Sequence, residues 1–357
     1  MKTAYMLILS FFLSVMYKAQ DPVFAMFNEN PAILNPGLTG LNHVLRASVA
    51  YMDQWRQLGT PYKSFGMSMD MKFKPDNWQQ VDKHRGMTFK ERTMSRLAGG
   101  LAIYSDKAGI SRLSNLNTNL NIAYFLPFNS EQFLSFGMQA GLCQQQIENE
   151  SLIFPGQYNG STYEKGISSG ESFDSFYRIF PDFAAGIVWA RHEHHKRVGE
   201  YGINRLNFGL SVYHLSNPKQ GFLKQQHGSP YRMNCHGEFV YLAPKAKVGF
   251  SPSFQISLQG TTLFVTAGSF LTYYFDENSK YTGLNKRSSL AFGTFYRLGN
   301  CISYQFVYEK SEQYAMGVCY SLSLSDINIV SRGRAGFELM LRYTPPMAYL
   351  YEKKQMN

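Results

Sequence analysis

The chain has 357 residues and a net charge of +10; Phe, Tyr and Trp make up 15% of it and charged residues only 17%, against roughly 25% in ordinary globular chains. That composition is a poor match for a soluble enzyme. Past Ala19 no apolar run is long enough for a membrane-spanning helix, which needs about 20 residues.

In chain order, Lys2 and the apolar run from Tyr5 to Met16 read as a secretory signal peptide. Ala19 is the expected last residue before cleavage and Gln20 the first of the mature chain. No lipobox cysteine lies nearby. Nucleic acid is a poor partner for an exported basic chain. The charge suits a basic rim facing anionic lipid or an acidic partner, or simply solvated loops. Residues 20–42 contain Pro31 and Pro36, which fix φ and lack a backbone donor. That segment cannot join a ladder and is expected to form a rigid plug or rim before a barrel over 43–344.

From there the chain alternates with period two, the signature of strands. Leu120, Ile122 and Tyr124 alternate with Asn119 and Asn121; Leu134, Phe136 and Met138 with Ser135, Gly137 and Gln139. Leu206, Phe208 and Leu210 alternate with Asn207 and Gly209; Tyr314, Met316, Val318 and Tyr320 with Ala315, Gly317 and Cys319. In a soluble sandwich the second face would carry Lys, Glu and Thr. Here it carries Gly, Ser, Ala, Asn and Gln, which suits a crowded polar interior, so the fold class is an all-β transmembrane antiparallel barrel. Segmentation gives about fourteen strands, near 43–53, 63–73, 95–105, 114–125, 132–143, 181–191, 205–215, 232–243, 249–259, 263–275, 287–297, 301–309, 313–324 and 334–344. The even count places both termini in the periplasm and the long connection 144–180 outside. The 74–94 connection is long for a periplasmic turn and is a candidate docking segment. Tyr124, Tyr213, Tyr241, Tyr273 and Tyr343 fit an interfacial girdle, and 345–357 form a periplasmic tail.

Candidate chemistry is sparse. His192-Glu193-His194-His195 offers metal-ligating side chains beside Lys196 and Arg197, where a solvated cationic turn is the favoured reading; no metal is assigned. His214 and Ser216 share a face at the outer end of a strand, where a pair on the lipid face could serve as base and nucleophile of a phospholipase, but Asn217 is the sole local candidate to orient such a pair, and no catalytic residue is assigned. Cys301 and Cys319 fall on consecutive strands in an oxidising compartment. They would be opposite each other if the turn centres on Lys310, giving a candidate disulfide; two free thiols are the alternative. Arg297, Glu309, Glu338 and Arg342 share the inward face and form a candidate charge network that blocks the lumen, or else lines an ion-selective pore. Trp55 and Arg56 at the first outward hairpin are a candidate interface anchor, since these residue types dominate interface hot spots. A lipid-belt Trp with an Arg on phosphate is the alternative. No cofactor is expected, and the chain is read as a non-enzyme.

The termini carry a more specific signal. Gln20-Asp21-Pro22, Asn30-Pro31, Asn35-Pro36-Gly37-Leu38-Thr39-Gly40 and Gln54-Trp55-Arg56 lie at one end of the sequence. Leu215-Ser216-Asn217-Pro218 lies mid-chain, and Gly336-Phe337-Glu338 with Leu341-Arg342-Tyr343 at the other end. Nearly the whole mature chain resembles the PorP/SprF family of Bacteroidetes outer-membrane proteins. Asp53 before Gln54 and the tail after Tyr343 are small departures. The resemblance implies a place in or beside the type IX secretion system, with secretion subunits, a periplasmic peptidoglycan-binding lipoprotein, and a secreted adhesin or cargo bearing a C-terminal sorting domain as partners. Asn30, Pro31, Asn35, Pro36, Gly40, Gln54, Trp55 and Arg56 become candidate partner-binding residues. An autonomous pore for small substrates is the rival.

Overall fold

A computed structural model describes residues 24–345, apart from 59–60, 74–76, 84–86, 94–95, 110–111, 130, 149–151, 153, 165, 169–176, 195–202, 221–226, 245, 276–286 and 326–332. The expected leader and its cleavage point, Gln20 to Val23, His195 and the tail beyond 345 lie outside the described residues.

Fourteen strands close into an antiparallel barrel. They are β1 (Leu45–Gln54), β2 (Tyr62–Lys72), β5 (Leu97–Ala108), β6 (Leu113–Pro127), β7 (Gln132–Gln146), β8 (Tyr177–His194), β9 (Ile203–Tyr213), β12 (Arg232–Leu242), β13 (Val248–Gln259), β14 (Thr262–Tyr274), β15 (Ser289–Arg297), β16 (Cys301–Lys310), β17 (Tyr314–Ser323) and β18 (Arg334–Tyr343). Each strand pairs with its neighbour along the chain, and β18 returns to β1, with Val49 opposite Leu341. Closure leaves no unpaired edge, which a strand structure in lipid requires. Two hairpins lie outside the wall: β3 (Asn77–Lys83) with β4 (Met87–Thr93), inside the expected 74–94 connection, and β10 (Lys219–Gln220) with β11 (His227–Gly228). Among the described residues no helix is long and apolar enough to cross a membrane.

Period two decides which way each side chain points. Met67, Met69, Leu120, Ile122, Met138, Phe306 and Met316 are exposed on the outside, where lipid replaces water. Asn119, Asn121, Ser135, Gln139, Ser211, Asn234, Ser303 and Gln305 are buried on the inside. Tyr124, Tyr241, Tyr273, Tyr314 and Tyr343 face outward near one end. Tyr213 departs from the expected girdle: it is buried inside, with its hydroxyl 3.5 Å from the Ala32 carbonyl. β1 begins and β18 finishes at the same end of the barrel, here called the terminal end.

A 14-stranded wall is too wide for its own side chains to fill, and the interior contains residues 24–44. Phe27, Leu34, Leu38 and Leu41 pack on Phe125, Phe133, Val188 and Phe295. Met26 packs on Val307, Cys319 and Met340, and Phe24 on Ala50 and Met52.

Candidate functional site

Among the described residues, the inserted segment and the wall around it form an extended polar site. The segment is built from three short turns, Phe27–Glu29, Pro31–Leu34 and Pro36–Leu38. Proline opens the second and third, where a missing N–H costs nothing. The Asn35 N–H closes the middle turn on the Pro31 carbonyl at 2.9 Å, and its side-chain oxygen takes the Gly37 N–H at 2.8 Å. Gly40, at φ +67°, turns the chain toward the wall in a conformation that favours glycine; a Cβ there would lie 2.5 Å from that of Ala98.

Asn35 is wholly buried. Its amide nitrogen lies 3.2 Å from the Ile187 carbonyl, 3.0 Å from the Leu210 carbonyl and 3.1 Å from Nε2 of His236. Room for it comes from glycines on the inner wall. A Cβ at Gly186 would fall on Asn35 Oδ1, one at Gly209 would lie 2.8 Å from Asn35 Nδ2, and one at Gly137 would fall on the backbone of Pro36 and Gly37. Wall hydroxyls and amides complete the socket. Ser135 donates to the Gly37 carbonyl at 2.6 Å; Ser211 and Asn234 donate to the Leu34 carbonyl at 2.9 and 3.1 Å.

The opposite side is charged. Both oxygens of Glu338 accept plug N–H groups, from Ala25 at 2.7 Å and Met26 at 3.1 Å, and Gln305 donates to the Ala25 carbonyl at 2.9 Å. Arg342 spans Glu29 of the plug at 2.7 Å and Glu309 of the wall at 2.8 Å. Asp70 takes the Gly40 N–H at 2.8 Å and holds Arg46 at 2.7 Å. His43, between plug and wall, is held well below the ordinary imidazole value, first by burial and then by Arg46, Arg342, Arg205 and Lys72.

The expected site residues separate into distinct places. Asn30, Pro31, Asn35, Pro36 and Gly40 are buried within the lumen, so in this state the partner they meet is the chain's own wall. Gln54, Trp55 and Arg56 lie at the end opposite the terminal end. Trp55 has φ +54°, donates its N–H to the Ala335 carbonyl and leans on Tyr62, while Arg56 is exposed and 3.1 Å from Asp53. Of the four inward charges, Glu309 and Arg342 meet directly. Glu338 serves the plug backbone, and Arg297 donates to Thr266 at 3.3 Å. Glu29 and Asp70 were not singled out in the sequence and belong to this site; Glu29 lies outside any alternating segment.

Three expectations need correction. Cys301 pairs with Ser323 and Cys319 with Gln305, because the hairpin turns through Ser311 and Glu312, both at positive φ, and closes at Lys310 and Tyr314. The cysteines are offset by four residues, about 13 Å along a strand, which is too far for a disulfide, and both thiols are free. His214 is not on the lipid face: it is buried at φ +62°, with Nδ1 2.9 Å from Asp182, while Ser216 donates to the Pro181 carbonyl. His192 points inward to Asn207 and the next residue, Glu193, binds Asn204 and Arg191. Among the described residues no group of three could hold a metal ion.

The family described as "Type IX secretion system membrane protein PorP/SprF" matches residues 16–343. No curated protein matches the chain. Solved barrels similar to it include CdiB from Acinetobacter baumannii, with 8% identity and a TM-score of 0.40 over 85% of this chain and 60% of that one. BamA from Haemophilus ducreyi, lacking POTRA domains 1–3, has 8% identity and a TM-score of 0.38 over 84% and 70%. The CymD monoaromatic hydrocarbon channel has 9% identity and a TM-score of 0.37 over 89% and 93%. The chain thus spans three fifths of the CdiB chain.

Proposed function

The chain belongs to the PorP/SprF family of type IX secretion system membrane proteins, and on that premise we propose that it is a closed outer-membrane scaffold of that system, not a conduit. The observation that carries this reading is the filled lumen. Residues 24–44 occupy it, and they are fastened on one side to β7, β8, β9 and β12 and on the other to β16 and β18. A water-filled pore would leave the wall's Asn, Gln and Ser side chains solvated; those facing the plug are buried. The plug's burial spends the Asn-Pro segment on the barrel itself.

Partner contacts then fall on what remains outside. The terminal end is periplasmic in this reading, and the β3–β4 hairpin there is the docking element for a periplasmic peptidoglycan-binding lipoprotein. At the opposite end Gln54, Trp55 and Arg56 meet the adhesin or cargo carrying a C-terminal sorting domain. An amphipathic Trp beside an exposed Arg is the residue pairing that dominates interface hot spots.

Planar-bilayer recording of the purified full chain, with a gentle-detergent pull-down of the tagged protein from outer membranes, tests this. The scaffold requires no steady ionic conductance and recovery of a lipoprotein or an adhesin with secretion subunits. Steady conductance and recovery of the barrel alone would transfer the assignment to an autonomous pore.

A further inference from the structure

The outer wall carries a concavity that the scaffold role does not use. A cavity of about 590 Å³ opens on the lipid side across the seam where β1 meets β18. It exists because β1 places Ala47 and Val49 outward where its neighbours place Met67, Met69, Leu341 and Tyr343. Small side chains make the floor and long ones the banks.

The groove has a direction. The pairing row that crosses it runs Lys310, Tyr314, Tyr343, Ala47, Met69, Leu101. Lys310, Tyr314 and Tyr343 are the terminal residues of their strands, whereas Met69 and Leu101 lie well inside theirs. The row therefore starts at the membrane surface and sinks toward the middle. Five strand spacings of about 4.8 Å give about 24 Å. With strands tilted by about 40° from the axis, the row descends about 15 Å, half of a hydrocarbon core of about 30 Å. The shallow end has the exposed cation Lys310 between interfacial tyrosines, and the deep end is wholly apolar.

We propose that this groove is a binding site for one acyl chain of an anionic glycerophospholipid, with the phosphate against Lys310. Water cannot fill the slot, because the deep end offers it no hydrogen-bond partners. Leaving it empty forfeits the dispersion contacts of the walls. A second copy of the barrel is a poor occupant: a two-fold contact sets the same patch on both partners, so concave would face concave and Lys310 would face Lys310. An acyl chain matches the length of the slot, and a phosphate matches the charge at its mouth.

The test uses the full chain in phosphatidylethanolamine vesicles, doped with phosphatidylglycerol carrying a photoactivatable group at the end of one acyl chain. Adducts are mapped by mass spectrometry. The site requires adducts concentrated around Met69 and Leu101, about tenfold above the lipid-exposed Phe208 and Leu210 on β9 across the barrel, a preference of about 1.4 kcal/mol. Ala47→Phe fills the floor from the lipid side and must bring that signal down to the β9 level. Heat-modifiable mobility on gels confirms that the variant barrel is closed. Lys310→Gln, which leaves the floor intact, must lower the phosphatidylglycerol signal about fivefold, the share of one surface cation facing anionic lipid. The same probe on phosphatidylethanolamine, whose amine offsets its phosphate, must respond clearly less to Lys310→Gln. Even labelling around the wall, or labelling indifferent to Ala47→Phe, overturns the site. Crosslinks from the groove to a second barrel or another protein, with no lipid adduct, overturn the occupant.

Discussion

The plug meets the barrel on two sides by different physics. Toward β7, β8, β9 and β12 the contacts are mainly neutral: Asn35 amide to carbonyls, Ser and Asn side chains to the Leu34 and Gly37 carbonyls, and glycines that make the space, with the Arg232 guanidinium 3.4 Å from the Ile33 carbonyl as the charged exception. Toward β16, β18 and β2 the contacts carry charge: Glu338 on two backbone N–H groups, Arg342 between two glutamates, Asp70 on Gly40 and Arg46. The neutral side is a fit of shape. It should be intolerant of one added methyl group. The charged side tolerates volume but depends on every carboxylate keeping its donors, because a buried charge without a partner is far costlier than a buried amide without one.

The largest effect should come from breaking the shape fit. Gly137→Val drives a side chain into the backbone of Pro36 and Gly37, which cannot swing aside as a side-chain tip would. Overpacking of this kind costs about 3 kcal/mol. The wall itself stays paired, so the loss appears as plug release. Amide exchange at Leu38, whose N–H closes on Asn35, should quicken by roughly a hundredfold at that cost, and intermittent conductance should appear in planar bilayers. Unchanged exchange would mean that the plug does not approach Gly137 this closely in the membrane.

The sequence shows the wall far better than it shows the plug, for a physical reason. All fourteen strands lie within a few residues of the alternating segments, because lipid outside and packed polar groups inside sort side chains by position along one strand. A plug contact has no such local mark: Asn35 binds carbonyls about 150 and 175 residues away. Its one trace is glycine at Gly137, Gly186 and Gly209, in mid-strand positions where glycine weakens a ladder and so marks a close approach. Hairpin centres are equally faint. Two residues at positive φ moved the β16–β17 turn from Lys310 to Glu312 and separated Cys301 from Cys319. Charge type was legible at Glu338, but its partners proved to be backbone amides.

Glu338→Gln sharpens the comparison from the charged side. Gln keeps one acceptor and turns an NH₂ toward the other plug N–H, so one charge-assisted bond of Ala25 or Met26 is lost. Such a bond is worth about 2 kcal/mol, or about thirtyfold faster exchange at those two amides. Leu38 and Gly37, fastened from the neutral side, should respond less. Equal acceleration along the whole plug would show that the two sides open as one unit.

The smallest effect isolates pH. His43 sits where plug joins wall and is kept neutral by burial and by Arg46, Arg342, Arg205 and Lys72. A withdrawn plug would return it to the ordinary value near 6.5. Above that pH the ring is neutral in both states and contributes nothing. Below it the withdrawn state takes up a proton that the plugged state resists. The plug should therefore loosen as pH falls through about 6.5, by at most about 1.4 kcal/mol per pH unit. Conductance events in planar bilayers at pH 5.5 should rise up to tenfold over pH 7.5, and His43→Asn, which cannot take up the proton, should flatten the dependence. A pH response that survives His43→Asn would show that the loosening does not arise at His43.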